Sequence, residues 1–502
     1  RYDLYQSPQQ PLLNEAFVGR YGFANNFTLN GRDSFQPRFG LNWRTTDRLT
    51  LTGSLGLYAG TGPLVWISNS FSNPGPLLAT AQVTRNLNGT FTITGVQGLT
   101  PAQVQAIGAA TLNNVTGGTG VPQDLINALR LSGPALATTN ALDPNFEIPS
   151  QWRLSGTASY SADLGRLGDN WNFGVDVVYS DVKQAVTYTD LRTVRNTVQA
   201  TLPDGRARYQ PFGPTTGNNQ DLLLYNTDKG YSWNIVASLQ KAWASGFYFG
   251  FDYTWQRARD VNSLTSSVAL SNYNNAAASD PNVAAYGISN YQRDNQYRVN
   301  LGFADTLWGD NVTAINLYFS SVSGQRFSYT FQDNTPNRSA VFGTTGLNNR
   351  YLIYVPDVSG FGADPRVTYA DVATYEAFRD FVLNSPLAEY QGQIAPKNIG
   401  QSPRWNRVDL GFSQEVPFFG PTKWQFFFDI DNFTNMLNRK WGALNQVAFP
   451  YFAPIANVGC SGTTSLTTAC TQYVYSNART PQFTNQTQSS LWAVRMGARF
   501  SF

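Results

Sequence analysis

The chain has 502 residues, of which 42% are hydrophobic, 14% aromatic and only 13% charged, with a net charge of +3 and no histidine. Without imidazole there is no Ser-His-Asp or Cys-His catalysis and no His-ligated zinc or iron. A small net charge with no basic stripe argues against a nucleic-acid partner, and no run of about 18 apolar residues provides a membrane-spanning helix. The composition therefore points away from an enzyme, a catalytic residue set, a cofactor or a metal centre.

Along the chain, apolar residues recur with a period of two in segments of about ten residues, as in spanning β-strands. The first two strands are expected over 36–45 and 48–60, the next over 150–162 and 170–182, then 231–243 and 246–259. They continue over 293–306 and 310–323, 404–416 and 423–434, and end with 490–502. In the fourth, Trp171, Phe173, Val175, Val177 and Tyr179 alternate with Asn172, Asp176 and Ser180. In the last, Trp492, Val494, Met496, Ala498, Phe500 and Phe502 alternate with a set that includes Arg495 and Arg499.

The connections alternate in length. Short ones fall at 45–48, 163–170, 241–246, 305–310 and 417–422, and long ones at 60–148, 181–230, 260–293, 323–404 and 435–489. An up-and-down transmembrane barrel has short periplasmic turns and longer extracellular loops, whereas loops beyond about 15 residues are uncommon in compact soluble domains. Aromatic rings agree. Trp43, Trp171 and Trp424 lie at the short-turn ends of their strands, and Trp152, Tyr179, Trp255 and Trp492 at the opposite ends. Two aromatic girdles are expected where hydrocarbon meets water. The core of a large soluble sandwich would not sort its tryptophans by strand end.

The fold class expected is thus all-β, an antiparallel transmembrane barrel with eleven strands visible. Because single-chain bacterial barrels have even strand numbers, closure calls for at least one strand upstream, and Arg1–Tyr5 reads as the upper end of one. Short helices are expected within the long loops, starting at Thr100-Pro101-Ala102-Gln103 and over 121–130 and 371–383.

Arg153, Asp176, Asp252, Arg407, Asp409, Asp429, Asp431, Arg495 and Arg499 fall on the face opposite the apolar rows. In hydrocarbon an arginine at the midplane costs about 2–4 kcal/mol, so these residues are expected to line a lumen. Either they solvate the wall and pair with one another or with a plug, or they guide a ligand. Asp429 and Asp431, roughly 7 Å apart along one strand face, have a spacing suited to acid/base work on a glycoside, which wall residues share by default. Cys460 and Cys470 lie in an external loop, where oxidising surroundings favour a disulfide. Tyr273, Asn274, Tyr286 and Tyr291 enrich the loops in side chains that bind ligands adaptably.

A terminal Phe502 preceded by alternating Phe500 and other apolar residues resembles the signal read by the barrel-assembly machinery. Upstream, Asp429-Ile430-Asp431-Asn432-Phe433-Thr434-Asn435 and Asn438-Arg439-Lys440-Trp441-Gly442 resemble the late-strand segment of TonB-dependent receptors. Asn226-Thr227-Asp228-Lys229-Gly230-Tyr231, Ser323-Gly324-Gln325-Arg326-Phe327-Ser328-Tyr329, Leu352-Ile353-Tyr354-Val355-Pro356 and Arg404-Trp405-Asn406-Arg407-Val408-Asp409-Leu410 look like the Oar-type branch of that family.

The resemblance implies a 22-stranded barrel in the outer membrane of a Gram-negative bacterium, plugged by an N-terminal domain and opened by TonB. Residues 1–502 would then be the C-terminal part of the barrel, without the plug or the TonB-contacting segment. It also implies membrane lipid and lipopolysaccharide as surroundings, surface or periplasmic proteins as partners, and peptide or protein cargo over a ferric siderophore. Relatives of this branch often carry a cation-binding run before the Leu-Ile-Tyr segment. The equivalent Gln332-Asp333-Asn334-Thr335-Pro336-Asn337 is too poor in carboxylates for a calcium loop. Two other functions remain to be separated from transport: a surface adhesin anchored by its barrel, and a passive channel.

Overall fold

The computed structural model describes residues 1–60, 64–75, 81–113, 121–215, 219–418 and 422–501. Its main feature is an antiparallel path of eleven strands through a larger fourteen-stranded sheet. In chain order these are β1 (Arg38–Arg44), β2 (Leu49–Ala59), β3 (Ser150–Ala162), β4 (Trp171–Asp190), β5 (Tyr231–Ala242) and β6 (Phe247–Asp260). They continue as β7 (Asn295–Trp308), β8 (Asn311–Val322), β9 (Trp405–Pro417), β10 (Lys423–Asp431) and β11 (Ala493–Ser501). Each strand pairs with its neighbour in sequence, and β1 and β11 are the edges of the path.

Period-two alternation specifies this arrangement because a slip of one residue would turn every side chain to the wrong face. Tight hairpins hold the short-turn end. Between β5 and β6 the Trp243 amide donates to the Phe247 carbonyl at 2.8 Å, and Gly246 takes φ +84° at a point where a Cβ would lie 2.3 Å from the Ala304 carbonyl oxygen. Gly497 has a packing role: a Cβ there would sit 2.5 Å from the ring of Phe427, which lies over it from the adjacent strand.

Several boundaries differ from the periodic pattern for local reasons. β4 runs on to Asp190 instead of stopping near 182, because residues 185–190 pair with a strand at Asp221–Thr227. β10 stops at Asp431, since Asn432 adopts the left-handed φ +52° and opens a one-turn helix at Phe433–Leu437. β11 begins at Ala493 after a short helix at Thr487–Ser490, so Trp492 precedes the strand. Tyr2–Leu4 forms a short strand against Asp33–Phe35, immediately ahead of β1. Phe502 lies outside the described residues.

The expected helices are present. The helix at Pro101–Asn113 starts with a reciprocal cap: the Gln103 amide donates to Thr100 Oγ1 at 3.3 Å, and the Thr100 amide donates to Gln103 Oε1 at 2.8 Å. The second spans Gln123–Leu136, beyond the expected 121–130. The third spans Val372–Leu383, with Asp371 capping the Thr374 amide at 2.6 Å.

The long connections form more than small lids. Residues 326–333, 452–460, 473–476, 367–369 and 400–401 make a five-stranded sheet over a core that includes Phe327, Phe331, Tyr351, Ile353, Phe378, Ile455, Tyr473 and Tyr475. Burying each such side chain contributes about 1.5–3 kcal/mol, enough to order loops that look irregular in isolation. A second core gathers Leu142, Phe146, Val186, Tyr188, Leu222, Leu224 and Tyr273 around the extended long-loop end of β4. Cys460 and Cys470 are joined by a disulfide at the margin of the larger core.

Candidate functional site

Residues directly opposite on antiparallel neighbours share a face, so the register assigns every side chain. Asp252 on β6 stands opposite Arg298 on β7, Arg298 opposite Ser320 on β8, and Ser320 opposite Arg407 on β9. In the other direction the row passes through Ser238, Gly174, Ser159 and Thr50 to Arg44 on β1. By the same parity Arg153, Asp176, Asp409, Asp429, Asp431, Arg495 and Arg499 all lie on this polar face. Trp43, Trp152, Trp171, Tyr179, Trp255 and Trp424 lie on the other, with their neighbours Leu51, Leu57, Ala162, Trp233, Ile235 and Phe500.

The structure brings some of these charges together and leaves others apart. Arg407 lies 2.6 Å from Asp409 and 3.4 Å from Asp431, and Arg495 approaches the second oxygen of Asp431 at 3.6 Å. The Asn432 amide donates to Asp409 at 2.7 Å. Beside this ladder, Asp429, Arg495 and Arg499 line a cleft of about 400 Å³ with Asn316, Ser413 and Gln425. Asp176 stands alone from the ladder and accepts from Thr157 Oγ1 at 2.7 Å. Arg153 is further away, with its guanidinium 5.6 Å from the ring of Tyr58.

Other residues also belong to this face, beyond those singled out as lining the lumen. Arg298 opposes Asp252, Lys423 bonds Glu415 at 2.9 Å, and Arg38 lies 4.3 Å over the Tyr58 ring. Strand parity alone would have assigned Arg298, because it shares the even numbering of β7 with Gln296 and Asn300. The ladder offers fixed charge of both signs on a partly exposed wall. Asp431, considered above for its spacing from Asp429, is engaged by two arginines.

Above the long-loop end, the packed cap buries cations of its own. The fully buried Arg192 donates to Asp221 at 2.9 Å and to the carbonyls of Leu136 and Ala137 at 3.1 and 2.6 Å. Arg208, also fully buried, donates to the carbonyls of Ser465 and Thr468 at 2.7 and 2.6 Å, which pins the disulfide loop. Asp333 accepts from the Thr335 amide and hydroxyl at 2.9 and 2.6 Å and from the Ser339 hydroxyl, and its burial pushes its carboxyl above the ordinary range. Burial likewise pushes the Tyr329 hydroxyl up to about 12.

Of the loop residues expected to offer an adaptable surface, Tyr286 and Tyr291 are exposed. Tyr273 is not: it is buried beneath Arg350, whose guanidinium lies 4.2 Å from its ring, and Asn274 is half-buried beside it. Aromatic rings inside the second core contribute more by packing than by waiting for a ligand.

A family model described as the outer membrane beta barrel domain matches residues 3–448. No curated protein matches the chain. Among solved structures, a mutant of the ferric enterobactin receptor PfeA from Pseudomonas aeruginosa aligns with 93% of this chain at 9% identity and a TM-score of 0.36. The chain spans 40% of the length of that receptor. The match over most of the sequence, on a sheet with one polar and one apolar face, shows that this chain belongs to the outer-membrane β-barrel domain family and resides in the outer membrane.

Proposed function

We propose that this chain is the wall and extracellular cap of an energy-coupled transporter or receptor for a bulky ligand, of the TonB-dependent, Oar-type kind. The observation that carries the reading is the open path of strands. Among the described residues β1 and β11 have no partner on their outer sides. Unpaired strand edges in hydrocarbon cost several kcal/mol for each orphan group, so the sheet belongs to a wider barrel completed by further strands. Such a barrel needs a polar lining of the kind the ladder supplies, and the family resemblance implies a plug and a gate. The family resemblance of the late-strand segments supports TonB as the gating partner, with peptide, protein or glycan as cargo.

The test is uptake of candidate peptides and glycans by cells carrying the whole protein, with and without TonB and with the proton-motive force collapsed. Loss of uptake in both cases supports the reading, and uptake that continues in both contradicts it.

The independently cored cap favours one second reading, a surface adhesin for which the barrel is only an anchor. In that case deleting residues 326–401 abolishes partner binding, and no ligand crosses the membrane.

A further inference from the structure

On the polar face, at the long-loop end of the sheet, one cross-strand row runs from Arg38 on β1 through Gly56 on β2 to Arg153 on β3. Gly56 leaves the row open between its two cations. A Cβ there would lie 2.9 Å from Arg38 Cγ and 3.1 Å from the Pro37 carbonyl oxygen, so the Arg38 stem crosses β2 where a larger residue would crowd it. Tyr58, the next residue on that face of β2, offers its ring to both arginines. The Arg38 guanidinium lies 4.3 Å and the Arg153 guanidinium 5.6 Å from its centroid. A cation–π contact draws on the charge of a guanidinium and spends none of its N–H donors.

Those donors are mostly unspent, and the charges are unmatched. Arg38 gives one hydrogen bond to Gln36 Oε1 at 2.9 Å, and Arg153 gives none to any described residue. Neither has a carboxylate within ion-pair distance among the described residues, and both are exposed. The acids of this quarter of the face are engaged elsewhere. Asp3 pairs with Arg1 at 2.9 Å. Asp176 accepts from Thr157, which lies about 13 Å along β3 from Arg153. At the other edge of the path, by contrast, Arg407 and Arg495 both face Asp431. The wall is thus polarised, with two like charges sharing one ring at the long-loop mouth and a balanced ladder far from it.

We propose that Arg38, Tyr58 and Arg153 form a clamp for an extended acidic segment of a peptide or protein cargo. This deepens the transporter reading and rests on its orientation, with the short turns periplasmic, so that cargo meets this mouth first. The two arginine backbones stand two strand spacings apart, about 10 Å. Alternate side chains of an extended chain lie about 7 Å apart on one face, so acidic residues two apart reach both guanidiniums on their long stems. Each carboxylate would accept the unspent N–H donors in charge-assisted hydrogen bonds, which are the strong kind. A neutral segment offers neither arginine a counter-charge. Tyr58 is a positioning residue, holding two flexible stems at one place.

The test is fluorescence anisotropy on the whole protein in detergent, without TonB, with labelled heptaaspartate, heptaserine and an oligogalacturonate of similar length. Heptaaspartate is expected to bind about tenfold more tightly than heptaserine, and the Arg38→Gln/Arg153→Gln variant to lose about that factor, as two exposed charge pairs would give. Arg153→Gln alone, which removes an exposed side chain without a hydrogen bond, is expected to lose several-fold. Tyr58→Phe keeps the ring and should bind as the wild type does, whereas Tyr58→Leu should weaken binding. Arg166→Gln, in the turn between β3 and β4, should leave binding unchanged. Equal binding of the two peptides overturns the clamp, as does wild-type binding by the Arg153 variants or an equal loss in Arg166→Gln. Oligogalacturonate that binds through the same arginines while heptaaspartate does not overturns the peptide assignment. With TonB absent from this assay, the clamp can stand where the uptake experiment refutes transport, and it can fail where uptake persists.

Discussion

Arg407 on β9 and Asp431 on β10 meet across the polar face of the sheet at 3.4 Å, with about a third of each side chain in contact with solvent. Ion pairs this exposed are worth about 0–1 kcal/mol, so the ladder is a lining before it is a structural clamp. Arg407→Gln is expected to lower stability by less than about 1 kcal/mol, read by urea unfolding of the protein folded into lipid vesicles. A loss of several kcal/mol would show that the ladder works as a buried network.

The two faces of β10 should respond in opposite ways to the same substitution. Phe426 lies on the apolar face and Gln425 beside it on the polar face. Phe426→Arg, one step into hydrocarbon from the Trp424 girdle, is expected to cost about 1–3 kcal/mol, between the interface and midplane values, while Gln425→Arg stays close to neutral. The same unfolding experiment measures both. Equal costs would contradict the assignment of faces.

Acid should stabilise part of the cap. Burial raises the Asp333 carboxyl above its ordinary value of 3.8, so the folded cap binds its proton more readily than the unfolded chain does. That contribution is fully present below pH 3.8 and is lost as the pH rises from 3.8 through the raised folded value. Asp371 works the other way, since the Thr374 amide holds it below its ordinary value, so total stability mixes both signs. The difference between the wild type and Asp333→Asn isolates the first effect. Hydrogen exchange at residues 326–333 should show the wild type gaining relative to the variant as the pH falls through that window, and a constant difference would contradict it.

Arg192 should be among the costliest residues of the cap to replace. Arg192→Met removes a buried guanidinium from Asp221 and strips donors from three carbonyls. Breaking a buried pair from one side costs about 3–5 kcal/mol. Arg20 and Tyr21 also hold Asp221, at 2.8 and 2.7 Å, which places the expected loss near the lower end. Hydrogen exchange in residues 185–190 and 221–227 would report it, and unchanged protection would count against the network.

The strands were legible in the sequence because a two-residue alternation dominates each of them, and β3 runs over 150–162 as the pattern predicts. The ends were less legible. Nothing in the periodicity of Asp429-Ile430-Asp431 announces that Asn432 will turn left-handed. The charges of the lining could be assigned to a face but not to partners, since the grouping of Arg407, Asp431 and Arg495 depends on the register among three strands. The cap was largely illegible. Its strands at 326–333 and 452–460 pair in parallel across more than a hundred residues of chain, a relationship no local pattern encodes. Tyr273 illustrates the same limit, reading as a loop residue and sitting in a core.

The measurement that tests the central claim most directly is a nitroxide scan along β10, with single cysteines at 424–431 in a Cys460→Ser/Cys470→Ser background, in the whole protein reconstituted in lipid. Oxygen partitions into hydrocarbon and a charged nickel chelate stays in water, so the two relaxants separate the faces. The account predicts that positions 424, 426, 428 and 430 relax with oxygen and positions 425, 427, 429 and 431 with the chelate, alternating at every step. A scan without that alternation, or with the two sets exchanged, would contradict the assignment of a polar lumen and a lipid-facing wall.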